Sequence, residues 1–202
     1  MIKTVTIVDG GYFKKVVVTE HKLAHRRYTD FLYDNIRSCE DDDEDLMRIL
    51  YYDCLRYEGE QQLPISGDSK RFYGNPAEFD GLASYDLMAI RLGELRFRGF
   101  ILKQEDSTFS RTLGDSDFLP SFEQKGVDMR IGLDIAHYSE KRLVDRIILI
   151  SNDTDCIPAM KEARKNGVQI VVVEFEGQSL HRDLVKHSDY VRWREIIEPN
   201  LD

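Results

Sequence analysis

The chain has 202 residues and a formal net charge of −9 at pH 7, with 42% hydrophobic and 32% charged residues. This length fits one domain with a substantial buried core, and the composition excludes long disordered, collagen-like and fibrous proteins. No apolar run is long enough to span a membrane and the N-terminus lacks a signal-peptide pattern, so we expect a cytoplasmic protein.

Negative charge is concentrated in one acidic run. Six consecutive acidic residues occupy 40–45, and only −3 remains for the rest of the chain once they are set aside. The run predicts a solvated loop and leaves room for a local basic surface that could meet a polyanion. The three cysteines, Cys39, Cys54 and Cys156, form no C-x-x-C pair, which favours buried small hydrophobes over a disulfide framework or a zinc site.

The first half of the chain predicts strands alternating with helices. Residues 4–8 are mostly β-branched and end at Asp9-Gly10-Gly11, which is typical of a buried strand followed by a turn. Apolar spacing predicts a helix over 20–38, a strand over 47–55, a helix over 78–98 and a strand over 100–102. Polar insertions are expected around 39–46, 56–77 and 104–124.

The second half predicts the same alternation. Val127, Ile131, Ile135 and Tyr138 form the apolar stripe of a helix, and a strand follows at 146–150. A helix at 158–165, a strand at 168–173, a helix at 180–186 and a short strand at 190–193 complete the order. We therefore predict an α/β fold, a three-layer α/β/α sandwich with a mostly parallel five- or six-stranded sheet, forming one domain over residues 1–202.

Acidic residues follow two of these strands. Asp9 comes directly after the first, and Ser151-Asn152-Asp153-Thr154-Asp155 comes directly after the fourth. If the two strands are neighbours at the switch point of the sheet, their carboxylates converge. On the helix that begins near Val127, Asp134 falls inside the apolar stripe and Asp128 lies at its edge in the first turn, where it could face the same cleft.

Gathering these carboxylates without a cation would raise their pKa values by mutual repulsion. An oxygen-only ligand set points to magnesium or manganese over zinc. Each residue also has a structural explanation: Asp155 could cap the helix at 158, Asp128 could favour its own helix N-terminus, and Asp9 could make a turn. No Walker loop and no G-x-G-x-x-G follows the first strand, so nucleotide-binding folds lack their phosphate cradle.

Three blocks of the sequence resemble the NYN domain family of PIN-like nucleases. They are VDGGYF at 8–13, KGVD at 125–128 with Asp134 six residues on, and SNDTDCIP at 151–158 with the segment that leads into GVQIVVV at 167–173. The resemblance implies a PIN-like fold and RNA cleavage with Mg²⁺ or Mn²⁺ held by Asp9, Asp128, Asp153 and Asp155. One position departs from the pattern, because Tyr12 stands where many members carry an asparagine whose amide could position a water molecule.

We therefore expect a metal-dependent ribonuclease that acts on single-stranded RNA. Asp9, Asp128 and Asp153 would be metal ligands, and Asp155 a ligand or a water-orienting base. Asp134 would be buried and bonded to the loop at Ser151 and Asn152, with Ser151 supporting the ligands. Lys14, Lys15, Lys125 and Arg130 flank the site in sequence and could contact phosphates, although each is equally plausible as a solvated surface residue.

Two alternatives stay open at this point. A catalytically weak nucleic-acid-binding or regulatory module of the same fold is motivated by Tyr12 and the acidic surface. A small phosphoester hydrolase is favoured if the 104–124 segment closes the cleft into a pocket. A homo-oligomer is also left open.

Overall fold

The computed structural model describes residues 1–18, 25–103 and 112–198. The elements in chain order are β1 (Ile2–Asp9), α1 (Gly10–Val18), α2 (His25–Arg37), β2 (Glu44–Cys54), β3 (Gly59–Gln62), β4 (Ser69–Phe72), α3 (Asp80–Ala83), β5 (Met88–Leu102), β6 (Phe118–Lys125), α4 (Val127–Glu140), β7 (Arg146–Ile150), α5 (Ile157–Lys165), β8 (Gln169–Phe175), α6 (Arg182–His187) and β9 (Tyr190–Arg194).

A seven-stranded sheet in the order β6-β5-β2-β1-β7-β8-β9 forms the centre of the fold. Every neighbouring pair is parallel except β5 and β6. The predicted α/β fold with a mostly parallel sheet is confirmed, with more strands than the expected five or six. Strand β1 lies between β2 and β7. The strands that follow β1 are therefore added first on one side of it and then, from β7 onward, on the other side.

Helices cover both faces of this sheet, which confirms the three-layer arrangement. On one face, Ile131 of α4, Met160 of α5 and Leu184 of α6 pack against strand residues in one buried cluster. On the other face, Phe13 of α1 and Phe31 of α2 belong to a second buried cluster. The buried β-branched and leucine residues of β1, β7 and β8 supply both clusters, because alternate side chains of a strand point to opposite faces.

The helix predicted over 78–98 is wrong. Only Asp80–Ala83 is helical there, and β5 begins at Met88. Pairing of β5 with β2 ends at Gly93, and from Glu94 onward β5 pairs only with β6. This part of the strand lies beyond the buried centre of the sheet, and charged and apolar residues alternate from Glu94 to Arg98. The helix was predicted because the leucines upstream have a spacing that is also typical of a helix.

The two longer predicted insertions contain regular structure. Residues 118–125 form β6, so the polar loop expected over 104–124 is wrong for that part, and residues 104–111 lie outside the described residues. The 56–77 segment contains the β3–β4 hairpin. The hairpin packs on the β5–β6 extension through aromatic rings at 5.5–6.0 Å, contributed by Tyr57, Phe72, Phe97 and Phe122.

The acidic run is only partly a solvated loop. Glu44 begins β2, and its carboxylate is fully buried between the guanidinium groups of Arg146 at 2.7 Å and Arg192 at 3.0 Å. Asp41 remains half-exposed and pairs with Arg192 at 2.8 Å. The run therefore anchors the start of β2 to β7 and β9.

Helix α1 follows Asp9 directly and was not predicted, because two glycines and three consecutive valines are poor helix formers. Helix α2 occupies His25–Arg37 of the predicted 20–38, and residues 19–24 lie outside the described residues. The three cysteines are buried and free, as expected. None of the described helices is long and apolar enough to cross a membrane, and the cytoplasmic location stays a prediction.

Candidate functional site

The ends of β1 and β7 bring Asp9 and the 151–155 loop together. In the parallel pairing Val8 lies opposite Ile150, so Asp9 and Ser151 leave the sheet side by side. The buried Ser151 hydroxyl donates to Asp9 Oδ2 at 3.4 Å and accepts the Asp153 N–H at 3.1 Å. One serine therefore links the two acidic segments that the sequence predicted to converge.

Asp9 also has a structural role. The Tyr12 N–H donates to Asp9 Oδ1 at 3.1 Å, so the carboxylate satisfies a free N–H in the first turn of α1. Asp9 therefore caps a helix and does not make the simple turn that was expected. The hydrogen bond from Tyr12 fixes the position of Asp9 Oδ1.

A cleft of about 490 Å³ opens at this end of the sheet. Its wall residues are Asp9, Gly11, Tyr12, Lys15, Gln124, Asp128, Asn152, Asp153, Thr154 and His181. Asp128 reaches the cleft because Gly126, in the left-handed conformation with φ of 79°, turns the chain from β6 into α4. Three of the four predicted ligands, Asp9, Asp128 and Asp153, therefore line one cleft.

The electrostatics of the cleft reflect this convergence. Burial raises the pKa of Asp9 above its ordinary range, and the charges of Asp128 and Asp153 raise it further against the lowering effect of the Tyr12 N–H. Burial also raises the pKa of Asp128, with added repulsion from Asp153 and Asp155. The cleft therefore holds carboxylates that repel one another in the absence of a cation.

Asp155 lies at the margin of this site. It is exposed and is not among the cleft-wall residues, although its charge reaches Asp128. Its backbone N–H donates to Asp153 Oδ1 at 2.8 Å in a short 3-10 turn at Thr154–Cys156. The capping explanation for Asp155 is wrong, because α5 starts at Ile157 with Cys156 at its N-cap and no side-chain cap.

Asp134 has partners other than those predicted for it. Its Oδ2 accepts a 2.5 Å hydrogen bond from the buried Tyr52 hydroxyl and lies 3.6 Å from the Arg91 guanidinium. Its side chain is 26% exposed rather than buried, and no described hydrogen bond joins it to Ser151 or Asn152. Asp134 therefore ties α4 to β2 and β5 and is not among the residues that line the cleft.

The predicted phosphate-binding cations differ in their surroundings. Lys14 pairs with Asp53, a 2%-exposed residue, at 2.6 Å, and Lys125 pairs with Glu123. Arg130 is exposed, with no ion pair among the described residues, and Lys15 is the cation that lines the cleft. Lys14 is thus occupied by a buried carboxylate.

The donor chemistry of the cleft fits a hard divalent cation. Its acidic groups are all carboxylates, with no thiolate among the wall residues. Within the described segments, no group of three or more His, Cys, Asp or Glu side chains already forms a metal-binding set. A cation would therefore have to draw the carboxylates closer, and relief of their mutual repulsion favours that movement.

Several cleft residues were missed by sequence reasoning. His181 lies beyond β8, and its backbone N–H donates to Asn152 Oδ1 at 2.6 Å. Gln124 on β6 approaches Gly11 so closely that a Cβ there would lie 3.1 Å from its Oε1. Neither residue belongs to a motif, so only the fold of β6 and of the 176–181 segment reveals them.

Comparison with known families decides the relationship. A sequence profile described as the NYN domain matches residues 28–195, which is most of the chain. The chain belongs to the NYN domain family. This is a family of PIN-like nucleases, and the resemblance stated from the motifs is confirmed. Asp128, Asp153 and Asp155 of this NYN domain lie inside the matched segment, whereas Asp9 and Tyr12 precede it.

A solved structure is similar in fold to this NYN domain. A crystal structure of a protein of unknown function from Vibrio parahaemolyticus aligns with a TM-score of 0.51 and 12% sequence identity, covering 95% of this chain and 92% of that chain. At this identity the likeness shows the fold alone. No curated protein matches the chain in sequence.

Tyr12 distinguishes the cleft of this NYN domain. Its hydroxyl is buried and has no hydrogen-bond partner in the described part of the chain. Burial raises the pKa of Tyr12 to about 12, with further contributions from the charges of Glu174 and Asp9. Tyr12 therefore lines the cleft with an uncharged hydroxyl at neutral pH.

Proposed function

We propose that this protein is a metal-dependent ribonuclease that hydrolyses RNA phosphodiester bonds at the carboxylate cleft. The observation that carries the proposal is the convergence of Asp9, Asp128 and Asp153 on one cleft in a chain of a nuclease family. A bound cation would relieve the mutual repulsion of these carboxylates, and this favours cation binding. Single-stranded RNA is the substrate that we propose for this cleft.

Mg²⁺ or Mn²⁺ is the cofactor we propose. Asp9, Asp128 and Asp153 would hold it, and Asp155 would join them if the 154–156 turn moves toward the cleft. When bound, the cation would supply positive charge against the phosphate and would lower the pKa of a water molecule, so that hydroxide is available as a nucleophile at neutral pH.

The remaining roles belong to the chain itself. Ser151 keeps Asp9 and the Asp153 loop in register through its two hydrogen bonds. Lys15 on the cleft wall and Arg130 on the exposed side of α4 would meet phosphate groups of the strand. Lys125 would contribute once its exposed partner Glu123 is displaced, whereas Lys14 would act indirectly by holding Asp53 and α1.

A catalytically weak RNA-binding or regulatory module is the second candidate. It is favoured by Tyr12, an aromatic residue where many family members carry an asparagine amide. It is also favoured because, among the described residues, no three or more His, Cys, Asp or Glu side chains are already placed to hold a metal ion. A small phosphoester hydrolase has less support. Of the 104–124 segment, Gln124 alone lines the cleft in the part that the structure describes.

The test combines metal binding with turnover. Mn²⁺ at a hundredfold excess over Kd should stabilise the folded protein by about 2.7 kcal/mol, seen as a rise in Tm. The protein should cleave single-stranded RNA, and EDTA should abolish the cleavage. Asp153→Asn should lose both responses, with a fall in rate of roughly a hundredfold or more. Asp68→Asn, at an exposed site away from the cleft, is the matched control.

The outcomes separate the candidates. A Tm rise without RNA cleavage favours the binding or regulatory module. Cleavage that persists unchanged in Asp153→Asn identifies a contaminating nuclease and contradicts the proposal. A Tm rise that is the same in Asp9→Asn and Asp153→Asn as in the parent places the metal elsewhere.

A further inference from the structure

His181 stands on the wall of the acidic cleft although it lies 28 residues beyond Asp153 in sequence. Its imidazole is about half exposed, at 52%. It shares the cleft with Asp9, Asp128, Asp153 and Lys15. An RNA phosphate entering this cleft needs hydrogen-bond donors, because the carboxylates offer only acceptors when ionised.

The orientation of the ring is set by its own helix. His181 Nδ1 accepts the Asp183 N–H at 3.2 Å, which caps the start of α6. A neutral imidazole with an accepting Nδ1 carries its proton on Nε2. The ring therefore presents an N–H donor, Nε2–H, that the cap does not use.

Asn152 couples this ring to the acidic loop. Its Oδ1 accepts the His181 backbone N–H at 2.6 Å, and its Nδ2 donates to the Ser179 carbonyl at 3.2 Å. Asn152 directly precedes Asp153, so the segment with His181 is fixed to the loop that carries the predicted ligand. Because the Asn152 side chain bonds to both Ser179 and His181, it holds the His181 ring at a fixed position relative to Asp153.

We infer that His181 Nε2–H binds a non-bridging phosphate oxygen of the RNA strand, and that Asn152 is the residue that positions it. The inference rests on the proposed function, since it names a substrate contact of the same cleft. His181 acts as a hydrogen-bond donor and transfers no proton. Together with Lys15 it gives an otherwise acidic cleft a wall that accepts a phosphodiester.

Two substitutions separate this contact from the capping role. In His181→Asn the side-chain oxygen can replace Nδ1 as the acceptor for the Asp183 N–H, but nothing reaches the position of Nε2. In His181→Gln the amide nitrogen can reach the position of Nε2, while the cap is weakened. His187→Asn, at the other end of α6 and away from the cleft wall, is the matched control.

Steady-state kinetics on single-stranded RNA with Mn²⁺ give the first readout. We expect His181→Asn to lower kcat/KM by roughly ten- to hundredfold, mainly through KM, while its Tm and its Mn²⁺-induced Tm shift stay at the parental values. His181→Gln should recover most of kcat/KM despite a lower Tm. The reverse order, with His181→Asn active and His181→Gln impaired, would mean that His181 only caps α6.

RNA affinity gives a second readout that does not need turnover. In an Asp153→Asn background, His181→Asn should weaken binding of labelled single-stranded RNA about tenfold by fluorescence anisotropy, and His187→Asn should not change it. Equal affinities with and without His181→Asn would overturn the inference. If the parent protein fails to cleave RNA, the proposed activity fails, and anisotropy still decides whether His181 binds the strand.

Discussion

Ser151 Oγ donates to Asp9 Oδ2 at 3.4 Å, and this contact joins the ends of β1 and β7. The same hydroxyl accepts the Asp153 N–H at 3.1 Å. A buried group that serves two predicted metal ligands determines both the local stability and the spacing of those ligands. Substitution at Ser151 therefore has two consequences that can be measured separately.

Ser151→Ala should lower the free energy of unfolding by about 1–3 kcal/mol, because the Asp153 N–H loses its acceptor in a partly buried setting. It should also reduce the Mn²⁺-induced rise in Tm, since Asp9 and Asp153 lose their common link. Ser139→Ala is the control: Ser139 is also buried, but it bonds to the Ala136 carbonyl at 2.9 Å within α4. A parental Mn²⁺ response in Ser151→Ala would show that the link does not shape the metal site.

Asp9→Asn should stabilise the metal-free protein at neutral pH. The asparagine can still accept the Tyr12 N–H, and the substitution removes one charge from a group of three that repel. The pKa of Asp9 is raised in the folded state, so the folded protein holds more protons than the unfolded one between the ordinary aspartate pKa and the raised value. Parental metal-free stability should therefore increase as pH falls through this window.

Chemical denaturation of both proteins with EDTA across that window checks the sign. The advantage of Asp9→Asn over the parent should shrink as pH falls, because protonation of Asp9 gives the parent the same relief. An advantage that grows toward acid would contradict the raised pKa.

Glu44 should show the opposite pH dependence. Burial alone would raise its pKa, but hydrogen bonds from Arg192 and Arg146 outweigh burial and lower it. A lowered carboxyl pKa contributes stability that is present above the unfolded value and is lost as pH falls through the folded value. Glu44→Gln should cost about 3–5 kcal/mol at pH 7, because it leaves the largely buried Arg146 guanidinium without its anion and leaves Arg192 with the half-exposed Asp41 alone.

Urea denaturation at pH 7 and in acid tests this arrangement. The deficit of Glu44→Gln relative to the parent should decrease once Glu44 itself protonates. Asp45→Asn, at the exposed next position, should leave stability within the range of ordinary surface changes. Equal effects of the two substitutions would mean that the buried ion pairs contribute nothing.

Much of the fold could be predicted because its central strands are β-branched and buried on both faces. Residues 147–150 and 170–173 are continuous apolar runs, and each is followed or preceded by a clear turn signal. Strand β5 carries no such signal, since many of its residues face solvent and Leu92 and Leu95 imitate helical spacing. Tertiary pairing with β6 decided its structure.

The candidate site was predictable to the extent that strand ends determine it. Asp9 and Asp153 follow neighbouring strands, so topology alone brought them together. Asp134 was placed correctly on its helix but not in space, because a helical wheel shows which face a residue occupies and not what lies opposite. His181 and Gln124 depend on the paths of a loop and of an unpredicted strand.

Asp134→Ala should lower stability while leaving the Mn²⁺ response intact. The buried Tyr52 hydroxyl would lose its acceptor, at a cost of about 1–3 kcal/mol in the free energy of unfolding. Asp128→Asn should do the reverse, losing the Mn²⁺ response without destabilising the metal-free protein. Thermal melts of both variants with EDTA and with Mn²⁺ check these expectations. A loss of the Mn²⁺ response in Asp134→Ala would mean that Asp134 takes part in metal binding.

The two glycines after Asp9 should respond differently to alanine. A Cβ at Gly10 would lie 2.6 Å from Tyr51 Cζ and 2.7 Å from Asp53 Oδ2, two groups that are buried and cannot withdraw. Gly10→Ala should therefore cost about 1–3 kcal/mol through overpacking. A Cβ at Gly11 would instead meet the amide end of Gln124 at 3.1 Å and Asp9 Oδ1 at 3.3 Å, in the cleft itself.

Because the Gln124 side chain is flexible and its residue is exposed, it can move away, so Gly11→Ala should change stability little. The displaced amide and the crowded Asp9 carboxylate should nevertheless weaken the Mn²⁺-induced rise in Tm and slow RNA cleavage. Gln124→Ala combined with Gly11→Ala separates the two contacts: a Mn²⁺ response that recovers in the double variant assigns the effect to Gln124, and one that stays weak assigns it to Asp9. A Gly11→Ala protein as unstable as Gly10→Ala would show that the cleft wall at Gln124 is rigid.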